Sequence, residues 1–168
     1  EEAGVLTLLD ADEYPSADET TLFTITHQIA AQHPRLPIVL QRFGWHLQRV
    51  VTALMERHRN LHIEFSRYQA NRGLETYVRR FGPERLLFGS GLPAMSAGAA
   101  RAFVDYADIP EDARRLIAGG NLSRLLGGVS PEPCTPPPEA AGDRLRQSLR
   151  LGLPVLDSPV NDAHCHVL

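Results

Sequence analysis

Four short apolar runs recur along the first part of the chain, about 25 to 30 residues apart. They are Val5–Leu9, Pro37–Leu40, Leu61–Phe65 and Leu86–Phe88. Nearly continuous apolar runs are typical of strands covered on both faces. The spacing leaves room for one helix between successive strands, so the pattern predicts βα units arranged around a parallel sheet.

Segments with helical patterns lie between and after these runs. The predicted helices are Asp18–Gln32, Trp45–Arg57, Leu74–Arg80, Ser96–Tyr106, Glu111–Ile117 and Asn121–Leu126. Proline or glycine follows most of them, as at Pro34 and at Gly82-Pro83, and these residues end helices. The sequence therefore predicts an α/β fold over roughly its first three quarters.

Composition narrows the possible functions. The chain has 168 residues, well short of the roughly 250 that a complete (β/α)₈ barrel uses. Its net charge is −3, so it lacks the basic field expected of a nucleic-acid or acidic-membrane binder. All 17 basic residues are arginine, so the chain cannot supply a Schiff-base, P-loop or carboxylated lysine. Without a long apolar stretch or a leader pattern, we expect a soluble, cytoplasmic protein.

A proline-rich segment, Ser130–Pro138, marks a change in composition. Such segments act as semi-rigid linkers between domains. The sequence therefore predicts a first unit over residues 1–128, a linker over 129–139, and a second segment over 140–168 that contains a helix and a strand.

The predicted final strand contains the motif Asp162-Ala163-His164-Cys165-His166. Alternate residues of a strand share a face, so His164 and His166 are placed to bind one cation together. Asp162 would lie on the same side and could orient one of the histidines. The alternative is that the two histidines are simply solvated. A catalytic zinc uses about three protein ligands, so another ligand has to come from elsewhere.

Several stretches, taken together, resemble one known family. Asp162–Val167 is similar to the first-strand metal motif of the amidohydrolase superfamily, and three earlier stretches resemble its sixth, seventh and eighth strands. These are Pro37–Gly44, Arg59–Ser66 and Phe81–Pro93, and Ile117–Leu126 resembles the closing helix. The resemblance implies a TIM-barrel-like (β/α)₈ fold, present here as about half a barrel with strands five to eight, followed by a first-strand segment.

The branch that the chain resembles contains metal-dependent hydrolases and decarboxylases of aromatic acids. The resemblance implies a small-molecule substrate and a divalent metal, with zinc the expected ion, that activates water for attack on a C–N or C–O bond. His164 and His166 would be metal ligands. Decarboxylation of an aromatic acid is the alternative chemistry, and no catalytic residue is assigned.

Three family ligand positions depart from the pattern. Aligned with the family, Asp10 takes the fifth-strand position, Arg42 replaces the sixth-strand histidine and Gly91 replaces the eighth-strand aspartate. Neither arginine nor glycine can ligate a metal. We expect Arg42 to pair with Asp10 or Glu64, and binding of a ligand carboxylate by Arg42 is the alternative.

The remaining histidines are expected to be solvated or singly hydrogen-bonded, namely His46, His58 and His62. Two arrangements explain why later barrel strands precede a first-strand motif: a tandem of a degenerate and an intact barrel, which we favour, or circular permutation. The rival function for residues 1–128 is an inactive scaffold or dimerisation unit. The partner expected in either case is a second copy or a complementing barrel half.

Overall fold

The computed structural model describes residues 6–11 and 19–127. Four parallel strands pair in the order β1-β2-β3-β4. Their bounds are β1 Thr7–Asp10, β2 Ile38–Gln41, β3 Leu61–Glu64 and β4 Leu86–Leu87. In the register, Leu9, Leu40, Ile63 and Leu86 form one row across the sheet. All four predicted strands are confirmed, with ends shifted by one or two residues.

Six α-helices accompany the sheet in the described residues. They are α1 Glu19–Gln32, α2 Gln48–Arg57, α3 Gly73–Phe81, α4 Ala97–Asp105, α5 Glu111–Arg115 and α6 Asn121–Leu125. A 3₁₀ turn over Trp45–Leu47 leads into α2, so the predicted helix Trp45–Arg57 is α-helical only in its later part. A π-helical turn over Leu116–Gly120 joins α5 to α6 without a break.

The core lies between one face of the sheet and the helices. Ile38 and Leu40 of β2, with Leu61 and Ile63 of β3, are fully buried in it. Because side chains alternate along a strand, these residues share one face of the sheet. Each large apolar side chain buried in this way stabilises the fold by about 1.5–3 kcal/mol. The opposite face at the ends of the strands is left for polar residues.

The outer edge of β4 is covered by the chain that follows it. The backbone N–H of Phe88 donates to the carbonyl of Ile117 at 2.9 Å. The side-chain amide of Asn121, which is fully buried, donates to the carbonyls of Pro83 at 2.7 Å and Leu86 at 2.9 Å. Backbone groups that a neighbouring strand would otherwise pair are therefore satisfied within the unit.

The α/β class and the parallel order of the strands agree with the predicted half barrel. The predicted linker over 129–139 and the segment over 140–168 lie outside the described residues, so that division stays a prediction. None of the helices in the described part of the chain is long and apolar enough to span a membrane.

Candidate functional site

Polar side chains gather where the strands end. Asp10, Gln41 and Glu64 are the last residues of β1, β2 and β3. Strand alternation places them on the face opposite Leu9, Leu40 and Ile63, because each follows one of these residues directly. A cavity of about 720 Å³ lies at this edge of the sheet. Its lining includes the three positions predicted to be degenerate, Asp10, Arg42 and Gly91, so the fold brings all three together.

Arg42 supplies a positive charge inside this group. Its guanidinium forms an ion pair with the carboxylate of Asp10, and the Nε2 of Gln41 donates to Asp10 Oδ2 at 3.2 Å. The side chains of Arg42 and Asp10 are 37% and 13% exposed, so the carboxylate is largely removed from water. The expected pairing of the Arg42 side chain with Asp10 is present in the structure.

Glu64 is held by hydrogen-bond donors from two neighbouring segments. Its carboxylate accepts hydrogen bonds from the backbone N–H of Ser66, from Ser66 Oγ at 2.9 Å and from the backbone N–H of Arg42 at 3.2 Å. Arg42 adopts a left-handed backbone with φ of 57°, which costs a non-glycine residue about 1–2 kcal/mol. The backbone of Arg42 therefore bonds Glu64 while its side chain bonds Asp10.

Gly89 allows the Glu64 carboxylate to lie where it does. A Cβ at position 89 would come within 1.6 Å of Glu64 Oε1 and 2.2 Å of its Cδ. No real side chain can occupy that space without moving the carboxylate. Apart from its place in the eighth-strand pattern, this glycine has no sequence feature that singles it out.

The space beside Gly91 is filled by Met95. A Cβ at position 91 would approach Met95 Cβ to 2.7 Å and Met95 Cγ to 2.8 Å, and the backbone there has φ of 67°. Position 91, where the family has an aspartate, therefore holds a glycine, and Met95 packs where a side chain would lie. Sequence reasoning offered no signal for Met95.

The described residues do not fit a divalent metal. Within 6–11 and 19–127, no three His, Cys, Asp or Glu residues are grouped to hold one. Of the carboxylates that line the cavity in the described residues, Asp10 is bound by a cation and Glu64 by three donors. A metal at this position would also face the guanidinium of Arg42, which repels it.

None of the histidines in the described residues lines the cavity. His46 is exposed beside Trp45, whereas His58 and His62 are buried. His62 Nδ1 lies 3.2 Å from the carbonyl of Asn60, near the start of β3 and away from the cavity. Burial lowers the pKa of His62, against smaller opposing effects of backbone hydrogen bonds. His58 and His62 are thus packed within this unit and are not placed to act in the cavity.

Two further residues of the site were only partly anticipated. Ser66, the last residue of the stretch that resembles the seventh strand, is buried and bonds Glu64 through both its backbone and its hydroxyl. Gln41 was not singled out, although its position at the end of β2 could have suggested it. The predicted metal ligands His164 and His166, with Asp162, lie outside the described residues and stay predictions.

A parallel α/β sheet whose polar cavity lies at the carboxyl ends of its strands is the arrangement found in a TIM barrel, here with half the usual strands. The comparison with protein families agrees. A sequence profile described as amidohydrolase matches residues 18–128. The chain therefore belongs to the amidohydrolase family, which confirms the resemblance.

Solved structures give the same fold. An uncharacterised TIM-barrel protein from Bordetella bronchiseptica is similar with a TM-score of 0.59 and 20% identity, over 75% of this chain and 47% of that one. The 2,6-dihydroxybenzoate decarboxylase from Rhizobium is similar with a TM-score of 0.54 and 19% identity, over 74% and 51%. This chain thus spans about half the length of these structures. No curated protein matches it.

Proposed function

We propose that the unit formed by residues 6–127 is a metal-free member of the amidohydrolase family, and that the protein hydrolyses its substrate with a metal bound elsewhere. The ion pair between Arg42 and Asp10 supports the first part of this proposal, that the unit binds no metal. The second part rests on family membership and on the His164 and His166 motif in the sequence.

The proposal that this unit binds no metal follows from the chemistry of the cavity. Water is activated in this kind of hydrolase by a divalent ion together with a carboxylate base. The unit has glycine where the family has its aspartate, and Arg42 already neutralises Asp10. Glu64 accepts three hydrogen bonds and packs on Gly89, so it is fixed away from the role of a mobile base. Among the described residues, the cavity therefore has neither a set of metal ligands nor a mobile carboxylate base.

For the catalytic site, we assign the metal to His164 and His166, with Asp162 orienting one imidazole. We propose a divalent ion, zinc by preference, that promotes attack of water on a C–N or C–O bond of a small molecule. The third ligand and the general base are not assigned to any residue of this chain. The same proposal places the protein in the cytoplasm without nucleic-acid or membrane partners.

Activity of paired variants tests this proposal. Hydrolysis of a panel of small amides, esters and lactones is measured for the wild-type protein, for His164→Ala/His166→Ala, and for the matched pair Asp10→Asn/Glu64→Gln. We expect activity that is lost with a chelator and lost in the histidine variant, but kept in the carboxylate variant. Activity that disappears only in Asp10→Asn/Glu64→Gln would mean that the cavity itself is catalytic.

Release of carbon dioxide from aromatic acids is measured on the same three proteins. The Rhizobium decarboxylase resembles this chain in fold at 19% identity, and a likeness at that level does not carry its reaction over to this chain. Hydrolysis is therefore the reaction that we expect first. Decarboxylation that depends on His164 and His166, without hydrolysis, would keep the metal assignment and replace the reaction.

A second candidate is an inactive unit that serves as a scaffold or dimerisation module. It is favoured by Leu8, which lies on the sheet face opposite the helices and is 56% exposed. Such a face needs a cover, either a second copy or a complementing barrel half. Light scattering on the purified protein gives its mass. A monomer in which Leu8→Ser changes neither solubility nor unfolding would count against this candidate.

The loss of metal binding can also be tested by reversing it. The double substitution Arg42→His/Gly91→Asp restores the two ligand residues that the family has at these positions. Met95, however, occupies the space that a side chain at position 91 needs. We therefore expect a metal in the cavity, in addition to the one assigned to His164 and His166, only when Met95→Gly is added as a third substitution, because alanine would keep the Cβ that lies 2.7 Å from the new side chain. Binding by the double variant alone would show that the cavity has not closed around Gly91.

A further inference from the structure

Two histidines far apart in the sequence are hydrogen-bonded to each other. His27 Nδ1 lies 2.7 Å from His58 Nε2, and the ring centroids are 4.9 Å apart. His27 belongs to α1, and His58 follows the last residue of α2 directly. The bond therefore ties the first helix to the end of the second.

This contact accommodates only one proton between the two facing nitrogens. A hydrogen bond between imidazoles needs one N–H and one lone pair. When both rings are protonated, both facing nitrogens carry hydrogen and both rings are charged. The contact must then open, because two cations would face each other at hydrogen-bond distance.

Among the described residues, the surroundings of the pair offer no carboxylate to compensate a second positive charge. His58 is 8% exposed, and its carbonyl accepts a hydrogen bond from the guanidinium of Arg85 at 2.9 Å. The guanidinium of Arg57 lies over the ring of Phe23, which stacks on His27. Glu56, the nearest acid in sequence, is paired with Arg80. Among the described residues, no carboxylate is bonded to either imidazole.

We propose that the hydrogen-bonded pair of His27 and His58 is an acid-sensitive contact between α1 and α2, which we call the tie. The tie holds α1 against α2 while a single proton lies between the two facing nitrogens, and it releases α1 when both rings are protonated. The released part is α1 up to its last turn. That last turn stays anchored because the Asn60 amide donates to the carbonyls of Ala30, His33 and Leu36.

The direction of the effect follows from linkage. Burial, then His27 and then Arg57 lower the pKa of His58 below its ordinary value of 6.5. The unfolded or opened state therefore binds more protons than the closed state near that pH. The tie is fully effective above pH 6.5 and weakens as the pH falls through the lower value of the closed state.

Hydrogen exchange of the full chain at pH 7.5 and pH 5.5 tests the tie. Exchange in peptides from α1 is expressed as a protection factor, which removes the intrinsic pH dependence, and α3 serves as the internal reference. We expect protection of α1 to fall on the order of tenfold at the lower pH relative to α3. Equal protection of α1 at both pH values would overturn the proposal.

Variants show whether the two histidines cause the change. In His58→Gln the acid-induced loss of α1 protection should disappear, because a glutamine amide can donate to His27 but takes up no proton. His46→Gln, at an exposed histidine, should keep the wild-type response. If His58→Gln does not fold, His27→Gln applies the same test from the more accessible ring. An unchanged acid response in the variant that folds would contradict the assignment.

Discussion

The guanidinium of Arg42 is ion-paired with the carboxylate of Asp10 across the adjacent carboxyl ends of β1 and β2. A positive charge thus stands among acidic side chains at the edge where this family places its site. Because it is covalently part of the chain, this cation cannot be exchanged or removed by a chelator. The ion pair is the feature that separates this unit from a metal centre.

Removing the Arg42 guanidinium should destabilise the unit, because the Asp10 carboxylate is only 13% exposed and loses its ion pair with that cation. We expect Arg42→Ala to lower the free energy of unfolding by about 1–2 kcal/mol. The loss should be smaller in an Asp10→Asn background, where the buried carboxylate charge is absent. Denaturant unfolding measures both values.

The matched control for this prediction is Arg101→Ala, which breaks an exposed ion pair with Asp105 one helical turn away. Such pairs contribute less than about 0.5 kcal/mol. Equal losses for Arg101→Ala and Arg42→Ala would mean that Asp10 does not depend on Arg42.

Two glycines of the site should not tolerate even a methyl group. Gly89→Ala pushes the Glu64 carboxylate off its donors, and Gly91→Ala adds a collision with Met95 to a left-handed backbone. We expect each to lower the free energy of unfolding by about 1–3 kcal/mol. Gly119→Ala, where a Cβ meets nothing within 4 Å, is the control. If all three variants melt alike, the packing around Glu64 and Met95 is looser than described.

The order of elements was predictable from sequence because buried strands and amphipathic helices leave periodic patterns. Ile38–Gln41 and Leu61–Glu64 lie within one residue of the apolar runs that predicted them. The contacts of the site were less accessible. The pairing of Asp10 with Arg42 could be proposed from their family positions, but the packing of Met95 against Gly91 depends on loop geometry that has no periodic signal.

The histidines show a similar limit. The sequence placed His58 at the end of a helix, which gives no hint that it is buried against His27, 31 residues earlier. Burial and pairing of this kind depend on how α1 and α2 pack. Only the three-dimensional arrangement reveals them.

The stability of the closing helix, Ile117–Leu126, should depend strongly on Asn121. Its side-chain amide is fully buried and donates to two backbone carbonyls, those of Pro83 and Leu86. Asn121→Ala leaves both acceptors unsatisfied, so we expect a loss of about 2–4 kcal/mol in the free energy of unfolding. Ser123→Ala, on the exposed side of the same helix, should change it little. Asn121→Asp should behave like the alanine variant, because a carboxylate cannot donate.

Alkaline pH should unfold the unit through its buried tyrosines. Burial raises the pKa of both Tyr68 and Tyr77 above their ordinary value of 10.0. Since the neutral form is favoured in the folded state, their contribution is intact below pH 10 and is lost as the pH rises further. Tyrosinate absorbance should therefore rise for these two residues only together with the loss of circular dichroism.

A matched pair of variants separates this effect from general alkaline denaturation. Tyr77→Phe should move the alkaline transition to higher pH, whereas Tyr106→Phe, at a position 89% exposed, should leave it in place. Identical transitions in both variants would show that Tyr77 does not drive the unfolding.

The central claim is that the cavity between Asp10 and Glu64 holds no metal. Its most direct test is the metal content, by elemental analysis after gel filtration, of the wild-type protein, of Asp10→Asn/Glu64→Gln and of His164→Ala/His166→Ala. We predict that the carboxylate variant keeps the full metal content of the wild type, and that the histidine variant loses it. A metal that is retained without the two histidines, but lost with the charges of Asp10 and Glu64, would contradict the claim.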